Sequence, residues 1–169
     1  MVRNTRDYSR DSTRNMVQIL CKQRAGLRVC HINAQSLKNK LDEFSYIFES
    51  SEVDVVCISE TWFSNDLNDS FLRVKGFNLY RADRFGYAGG SAIYIKQGYK
   101  CKVIARSDAT SNIEYVFVEA MNNDQKILIG SVYRPSRQIN CDAFFNILTN
   151  ITLPYSDIIV AGDLIQTCF

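Results

Sequence analysis

The chain has 169 residues, of which 46% are apolar and 22% are charged, a composition typical of one soluble globular domain. This composition excludes a disordered, a collagen-like and a coiled-coil chain. No apolar run approaches the ~18 residues that a membrane-spanning helix needs, which also excludes an integral membrane protein.

The positive charge is concentrated at the start of the chain. Residues 1–26 carry six basic and two acidic side chains, whereas residues 27–169 carry 14 basic and 16 acidic ones. Because residues 1–26 are polar and lack a clear apolar period, we expect them to form a basic, disordered arm. The slightly acidic remainder excludes a strongly basic nucleic-acid binder of the histone or homeodomain kind.

The six cysteines show no C-x-x-C pair and no spacing that is typical of a zinc site. Residues 1–15 contain no apolar stretch of the kind that a secretory signal requires. We therefore expect a protein that is not secreted and that resides in a reducing, intracellular compartment, nuclear or cytoplasmic.

A strand–helix–strand order is predicted where the polar arm ends. Leu27–Ile32 alternates apolar and polar residues, as a strand does, and ends at Asn33. A helix is predicted next, because four apolar residues recur on one helical face: Leu37, Leu41, Phe44 and Phe48. Residues 54–59 are almost continuously apolar, which is typical of a strand buried on both faces, and Glu60 follows them. This spacing is that of a βαβ unit.

Further strands are predicted after an irregular stretch at residues 61–79. They are expected at residues 79–81, 92–95, 101–106, 113–121 and 127–133, with a hairpin turn at residues 122–124. Between the first two of these strands, residues 84–90 are predicted to form a loop.

A second helix is predicted over residues 139–151, with Asn140 or Asp142 as its cap. Four of its side chains are expected to face inward: Phe144, Phe145, Leu148 and Ile151. A last buried strand is predicted at residues 158–161, and it ends in Gly162-Asp163.

Three polar residues, Asn33, Glu60 and Asp163, stand at the ends of apolar strands. In sheet-based enzymes, ligands bind at the carboxyl ends of strands. One amide and two carboxylates supply the oxygen ligands that Mg²⁺ prefers, and Mg²⁺ supports phosphoryl chemistry. Each residue alone is also an ordinary turn former, so both readings stay open at this point.

Five short motifs occur in one order along the chain, which is far more specific than any one of them. They are Asn33-Ala-Gln-Ser-Leu, Ile58-Ser-Glu-Thr-Trp62, Gly89-Gly-Ser-Ala-Ile-Tyr-Ile95, Val132-Tyr-Arg-Pro135 and Ala161-Gly-Asp163. They resemble the endonuclease/exonuclease/phosphatase superfamily, and most of all the apurinic-type endonuclease domain of non-LTR (Jockey-like) retrotransposon reverse-transcriptase proteins. The resemblance covers residues 27–165 and implies an α/β fold, a partial four-layer sandwich with mixed sheets and flanking helices.

The resemblance also implies a role for each matching residue. Glu60 and Asn33 match the residues of a Mg²⁺ site, in which Mn²⁺ can substitute, with Glu60 as the principal ligand. Tyr133 matches a tyrosine that contacts the scissile phosphate, and a phenol there can stabilise developing charge. Asp163 matches the aspartate that orients or deprotonates the attacking water. Arg134 is placed beside the DNA phosphate backbone, to which guanidinium groups bind well.

The implied activity is nicking of target DNA by metal-assisted hydrolysis, which leaves a 3′ hydroxyl for reverse transcription. Two departures from the family pattern predict weak or no activity. Ile165 stands where the motif has an asparagine, and an isoleucine supplies no hydrogen bond. The family's carboxyl-terminal histidine segment is also missing, and His31, the single histidine, is expected to be an ordinary strand residue. The chain is therefore interpreted as a truncated domain with an unrelated tail at residues 166–169.

Two alternatives remain at this level. The first is a non-catalytic remnant that acts as a nucleic-acid or protein interaction module, with residues 1–26 supplying salt-sensitive affinity. The second keeps the superfamily but makes the chain a phosphatase that acts on a small phosphoester.

Overall fold

The computed structural model describes residues 26–86, 88–122, 125–135 and 140–164. Over these residues the chain forms two four-stranded mixed sheets, two α-helices and two 3₁₀ helices. The predicted arm, apart from Gly26, lies outside the described residues, as do Asn123 and Asp124 of the predicted hairpin turn, Ile165 and the tail. No helix within the described ranges is long and apolar enough to cross a membrane.

The first sheet contains the first four strands of the chain. These are β1 (Val29–Asn33), β2 (Val55–Ser59), β3 (Phe77–Ala82) and β4 (Ser91–Lys96). Their order across the sheet is β1-β2-β4-β3, in which β1 and β2 are parallel and the other neighbours are antiparallel.

The second sheet contains the last four strands in sequential order. These are β5 (Lys100–Arg106), β6 (Glu114–Asn122), β7 (Gln125–Tyr133) and β8 (Asp157–Asp163). The β5-β6-β7 neighbours are antiparallel, whereas β7 and β8 are parallel. The predicted strand–turn–strand order around residues 122–124 fits the antiparallel β6–β7 pair.

The helices connect the parallel strand pairs and cover the outer faces of the sheets. Helix α1 (Leu41–Glu49) follows a 3₁₀ turn at Leu37–Asn39, and helix α2 (Asp142–Thr152) joins β7 to β8. The other 3₁₀ turn, Asp69–Leu72, precedes β3. The N-cap position of α2 is Cys141, which makes no side-chain cap hydrogen bond, so the cap predicted at Asn140 or Asp142 is wrong by one residue. The Asn140 side chain does accept a hydrogen bond from the Asp142 backbone N–H just before the helix.

Three apolar clusters show that the molecule has four layers. Alternate side chains of β2 point in opposite directions, because successive residues of a strand face opposite sides. Val55 and Cys57 pack toward the second sheet with Val118 and Ile129. On the other faces, α1 packs on the first sheet and α2 on the second. The α1 cluster includes Phe44, Phe48, Val56 and Ile58, and the α2 cluster includes Phe117, Leu128, Val132 and Phe144. The four-layer α/β sandwich expected from the motifs is thus confirmed.

The two sheets also share a polar contact inside the sandwich. The Ser91 hydroxyl of β4 donates to the Ser131 hydroxyl of β7 at 2.8 Å. Ser131 in turn donates to the Ile58 carbonyl of β2 at 3.2 Å. All three residues are buried, so two hydroxyls that would be costly to bury alone satisfy each other and a backbone oxygen.

Two predictions about the end of the chain are wrong. The strand predicted at residues 158–161 is present within β8, but it is not buried: β8 lies at the side of its sheet, and Ile158 and Val160 are exposed. Phe145 was expected to face inward, yet its side chain is 55% exposed. Phe144, Leu148 and Ile151 do pack on the second sheet, so the apolar stripe of α2 is narrower than the helical pattern indicates.

Candidate active site

Four side chains from both sheets meet where the parallel strands end. Asn33 ends β1, Glu60 directly follows β2, and Tyr133 and Asp163 end β7 and β8 as paired neighbours. The Asn33 amide donates from Nδ2 to Glu60 Oε1 at 2.8 Å and to Asp163 Oδ2 at 2.9 Å. We call Asn33, Glu60, Tyr133 and Asp163 the strand-end cluster. Residues up to 130 positions apart in the chain are in direct contact there.

Tyr133 joins the strand-end cluster through its phenol. Its hydroxyl is hydrogen-bonded to Glu60, and Tyr133 is half-buried. Burial, followed by the negative charge of Glu60 and this hydrogen bond, raises the pKa of Tyr133 to about 12. The phenol therefore keeps its proton at neutral pH and can donate a hydrogen bond to an incoming anion.

The backbone around Asn33 and Glu60 is held in an unusual shape. Gln35, Ser36, Glu60 and Trp62 all have left-handed φ values between 42° and 78°, which side chains other than glycine rarely adopt. The Ser36 N–H donates to the Glu60 carbonyl at 3.0 Å, and the Leu37 N–H donates to the Thr61 carbonyl at 3.0 Å. Backbone strain of this kind persists only where surrounding contacts hold the residue in place. Residues strained in this way cluster at functional sites.

The loop before β4 packs closely against the segment that follows β2. The Trp62 N–H donates to the Gly89 carbonyl at 2.9 Å. Gly90 has a left-handed φ of 87°, and a Cβ there would overlap the Thr61 hydroxyl. A residue without a side chain is needed at Gly90 for both reasons, so the Gly-Gly pair allows the loop to approach the strand-end cluster.

Glu114, at the start of β6, is a buried carboxylate that sequence reasoning missed. Its side chain is fully buried, it pairs across the sheet with Tyr133, and its Oε1 lies 3.2 Å from Arg84 Nη1. Burial raises the pKa of Glu114 to about 7, although Arg84 and the Gly90 N–H oppose the rise; the charge of Glu60 adds to it. A signal was present in the sequence, because Glu114 is an acidic residue inside an apolar, strand-forming run.

Other residues that the sequence singled out lie around the strand-end cluster. The Arg134 N–H donates to the Asp163 carbonyl at 2.9 Å, and its half-buried side chain has a buried Nε with no hydrogen-bond acceptor among the described residues. Trp62, two residues after Glu60, is 39% exposed. His31 contacts Ser59 through Nε2, at 3.0 Å from the hydroxyl. Ile165 lies outside the described residues, so its effect stays a prediction.

The donor set of the strand-end cluster suits a hard divalent cation. Glu60 and Asp163 supply carboxylate oxygens within reach of the same amide, and Mg²⁺ commonly binds through one or two carboxylates and several waters. Asn33 Oδ1 accepts from the Gln35 N–H at 3.2 Å, so the amide faces the carboxylates with its nitrogen. Within the described ranges, no three His, Cys, Asp or Glu side chains converge as a ready-made metal cage.

Comparison with known proteins identifies the fold. Comparisons of the sequence with family models and with curated proteins found no match. Among solved structures, the chain is similar to the Xenopus laevis APE2 catalytic domain (15% identity, TM-score 0.61), covering 82% of this chain and 58% of that one. It is similar to the endonuclease domain of TRAS1, a telomere-specific non-LTR retrotransposon (16%, TM-score 0.54, 82% and 58%).

A phosphatase is among the similar structures as well. The Bacteroides thetaiotaomicron mannosyl-6-phosphatase is 11% identical, with a TM-score of 0.58, and the match covers 82% of this chain and 65% of that one. This chain therefore spans less than two thirds of the length of each of the three proteins. The chain has the endonuclease/exonuclease/phosphatase fold, which the sequence motifs predicted.

Proposed function

We propose that the chain is a Mg²⁺-dependent phosphodiester hydrolase domain of the retrotransposon endonuclease type, and that it nicks DNA weakly, because Ile165 supplies no hydrogen bond where the family motif has an asparagine. The observation that carries the proposal is the position of the Asn33 amide, which binds the carboxylates of Glu60 and Asp163 from two different sheets. The likeness to the retrotransposon endonuclease domain supports DNA as the substrate class.

The residues of the strand-end cluster would divide the chemistry among them. Glu60 would be the principal ligand of the divalent cation, with Asn33 as the second residue of the site that the resemblance implies, and the cation would supply charge neutralisation at the phosphate. Asn33 orients both carboxylates. Asp163 would orient a water for attack and accept its proton, and the protonated Tyr133 would donate a hydrogen bond to the phosphate oxygen that gains charge. Arg134, whose backbone is fixed to Asp163, would pair with the DNA backbone.

Nicking of supercoiled plasmid in the presence of Mg²⁺ or Mn²⁺ tests this proposal. Substituting Asp163→Asn should reduce the nicking rate at least ~10²-fold, since a charge that acts in the transition state is removed. Asp157→Asn is a matched control, because Asp157 is an exposed residue at the opposite end of the same strand. It should nick like the parent chain. Equal rates for the two variants, or a parent chain that nicks no faster than buffer, would contradict the proposal.

The phosphatase alternative rests on the similarity to the mannosyl-6-phosphatase. It predicts release of phosphate from a small sugar phosphate, again lost in Asp163→Asn, with no inhibition by added duplex DNA. Strong inhibition by DNA would favour the endonuclease. DNA binding that is unchanged in Glu60→Gln, together with no nicking by any variant, would instead favour the non-catalytic interaction module.

A further inference from the structure

A buried ion pair adjoins the strand-end cluster and has no part in the chemistry described so far. Glu114 is fully buried, and its carboxylate lies 3.2 Å from Arg84 Nη1. A carboxylate is costly to bury unless a positive charge accompanies it, so Arg84 has a clear structural partner. Pairing with Glu114 does not explain why 38% of the Arg84 side chain is exposed to solvent.

Residues next to the strand-end cluster hold Arg84 in place. A Cβ on Gly89 would lie 3.0 Å from Arg84 Cδ and 3.2 Å from Glu114 Oε2, so this glycine packs against both members of the pair. The Gly89 carbonyl accepts from Trp62, two residues after Glu60. On its other side, Glu114 is the cross-strand neighbour of Tyr133. The pair thus lies between the two segments that carry Glu60 and Tyr133.

The chemistry of a guanidinium group permits a second partner. It carries five N–H donors in one plane, and the contact of Nη1 with one carboxylate leaves others for another anion. Phosphate is the anion that suits this geometry best, because it accepts two parallel hydrogen bonds from arginine. The carboxylates of Glu60, Glu114 and Asp163 repel a polyanion at this edge of the sheets. The positive charge of Arg84 beside them reduces that repulsion.

We propose that Arg84, positioned by Glu114, forms a phosphate subsite that binds the DNA backbone next to the strand-end cluster. The identity of the ligand as DNA rests on the proposed function. Arg84 is the binding residue of this subsite, and Glu114 is a positioning residue that acts through it.

The test measures binding of a short DNA duplex to the full chain in EDTA by fluorescence anisotropy, across ~50 to ~200 mM KCl. Each phosphate contact contributes about 0.9 to the slope of log affinity against log salt. Arg84→Gln should lower the slope by about this amount, so that the loss of affinity over this salt range is ~3.5-fold smaller than in the parent. Because residues 1–25 are common to all variants, their charge cancels in the comparison.

A matched control separates a phosphate contact from a simple change in net charge. Arg28→Gln removes the same charge and breaks an ion pair of similar kind, with Asp54 and Glu52, next to the start of β1 and β2, at the opposite end of these strands from Asn33 and Glu60. The slope for Arg28→Gln should equal that of the parent. Equal slopes for Arg84→Gln and Arg28→Gln, or no salt-dependent binding by the parent, would overturn the subsite.

The double variant Arg84→Gln/Glu114→Gln distinguishes a binding role from a structural one. If Arg84 only neutralises Glu114, the double variant should regain both the melting temperature and the salt slope of the parent. The subsite predicts recovery of the melting temperature with the slope still reduced. Nicking by Asp163→Asn is a separate readout without any change at Arg84, so failure of the hydrolase proposal and failure of the subsite are distinguishable.

Discussion

The molecule contains two strand–helix–strand units with parallel strands, and they are buried to different degrees. The first unit is β1-α1-β2 and the second is β7-α2-β8. Strand β2 lies between two neighbours and is buried along its whole length, whereas β8 pairs with β7 alone among the described strands and is half exposed. Each unit nevertheless supplies two residues of the strand-end cluster.

This difference shows that the site depends on the ends of the strands and not on how deeply they are buried. Asn33 and Glu60 are held by a unit that is part of the main core. Asp163 is held by a strand at the side of the sheet, and its position is fixed by pairing with Tyr133 and by the amide of Asn33. The second unit is therefore the part of the site that is more easily disturbed.

The largest expected contrast concerns the two helices. Phe48 in α1 is fully buried, while Phe145 in α2 is largely exposed. Phe48→Ala should lower the free energy of unfolding by ~3–5 kcal/mol, because the core is left with a cavity. Phe145→Ala should cost less than ~1 kcal/mol. Urea unfolding of the two variants measures both values, and equal losses would contradict the assigned layers.

A second contrast makes the same substitution in the last strand of each strand–helix–strand unit, β2 and β8. Val56 in β2 is fully buried and Val160 in β8 is exposed. Val56→Thr places a hydroxyl among apolar side chains and should cost ~1–3 kcal/mol. Val160→Thr leaves the hydroxyl in contact with water and should change stability by less than ~0.5 kcal/mol. Thermal melts of the two purified variants measure both changes in stability. A large loss in Val160→Thr would show that β8 is covered in solution.

A third contrast is a pH dependence that belongs to Glu114. Its pKa is about 7 in the folded chain and ~4.3 in an unfolded one, so the folded chain binds the extra proton between these values. Stability contributed by this group is therefore present at low pH and declines as the pH rises through about 7. The melting temperature of Glu114→Gln, relative to the parent in EDTA, should rise between pH 5 and pH 8. A difference that stays constant over this range would contradict the raised pKa.

The sequence was sufficient for the elements and for the residues at the strand ends. The apolar run at residues 54–59 predicts β2 and its burial, and the polar residue that follows such a run predicts where a site can form. The order of the five motifs predicts the fold. These features are local, or depend only on order along the chain.

The degree of burial of β8, the last described strand of its sheet, could not be predicted in the same way. The apolar residues of β8 resemble those of β2, but whether a strand has one neighbour or two depends on the order of strands across the sheet. The same reason explains Phe145, because a helical pattern does not show how much of the helix the sheet beneath it covers. Glu114 was overlooked because the apolar residues around it determined the strand prediction.

The contact of Ser91 with Ser131, and of Ser131 with the Ile58 carbonyl, has a consequence for the alignment of the two sheets. Apolar attraction itself has no preferred direction, so between apolar faces only the interlocking of side chains selects an alignment. A hydrogen bond does have a preferred direction, so these two bonds add a directional contact between the sheets. Ile58 and Ser131 each lie two positions before a residue of the strand-end cluster, Glu60 and Tyr133. The two buried hydroxyls therefore help to hold the strand ends that carry Glu60 and Tyr133 in register with each other.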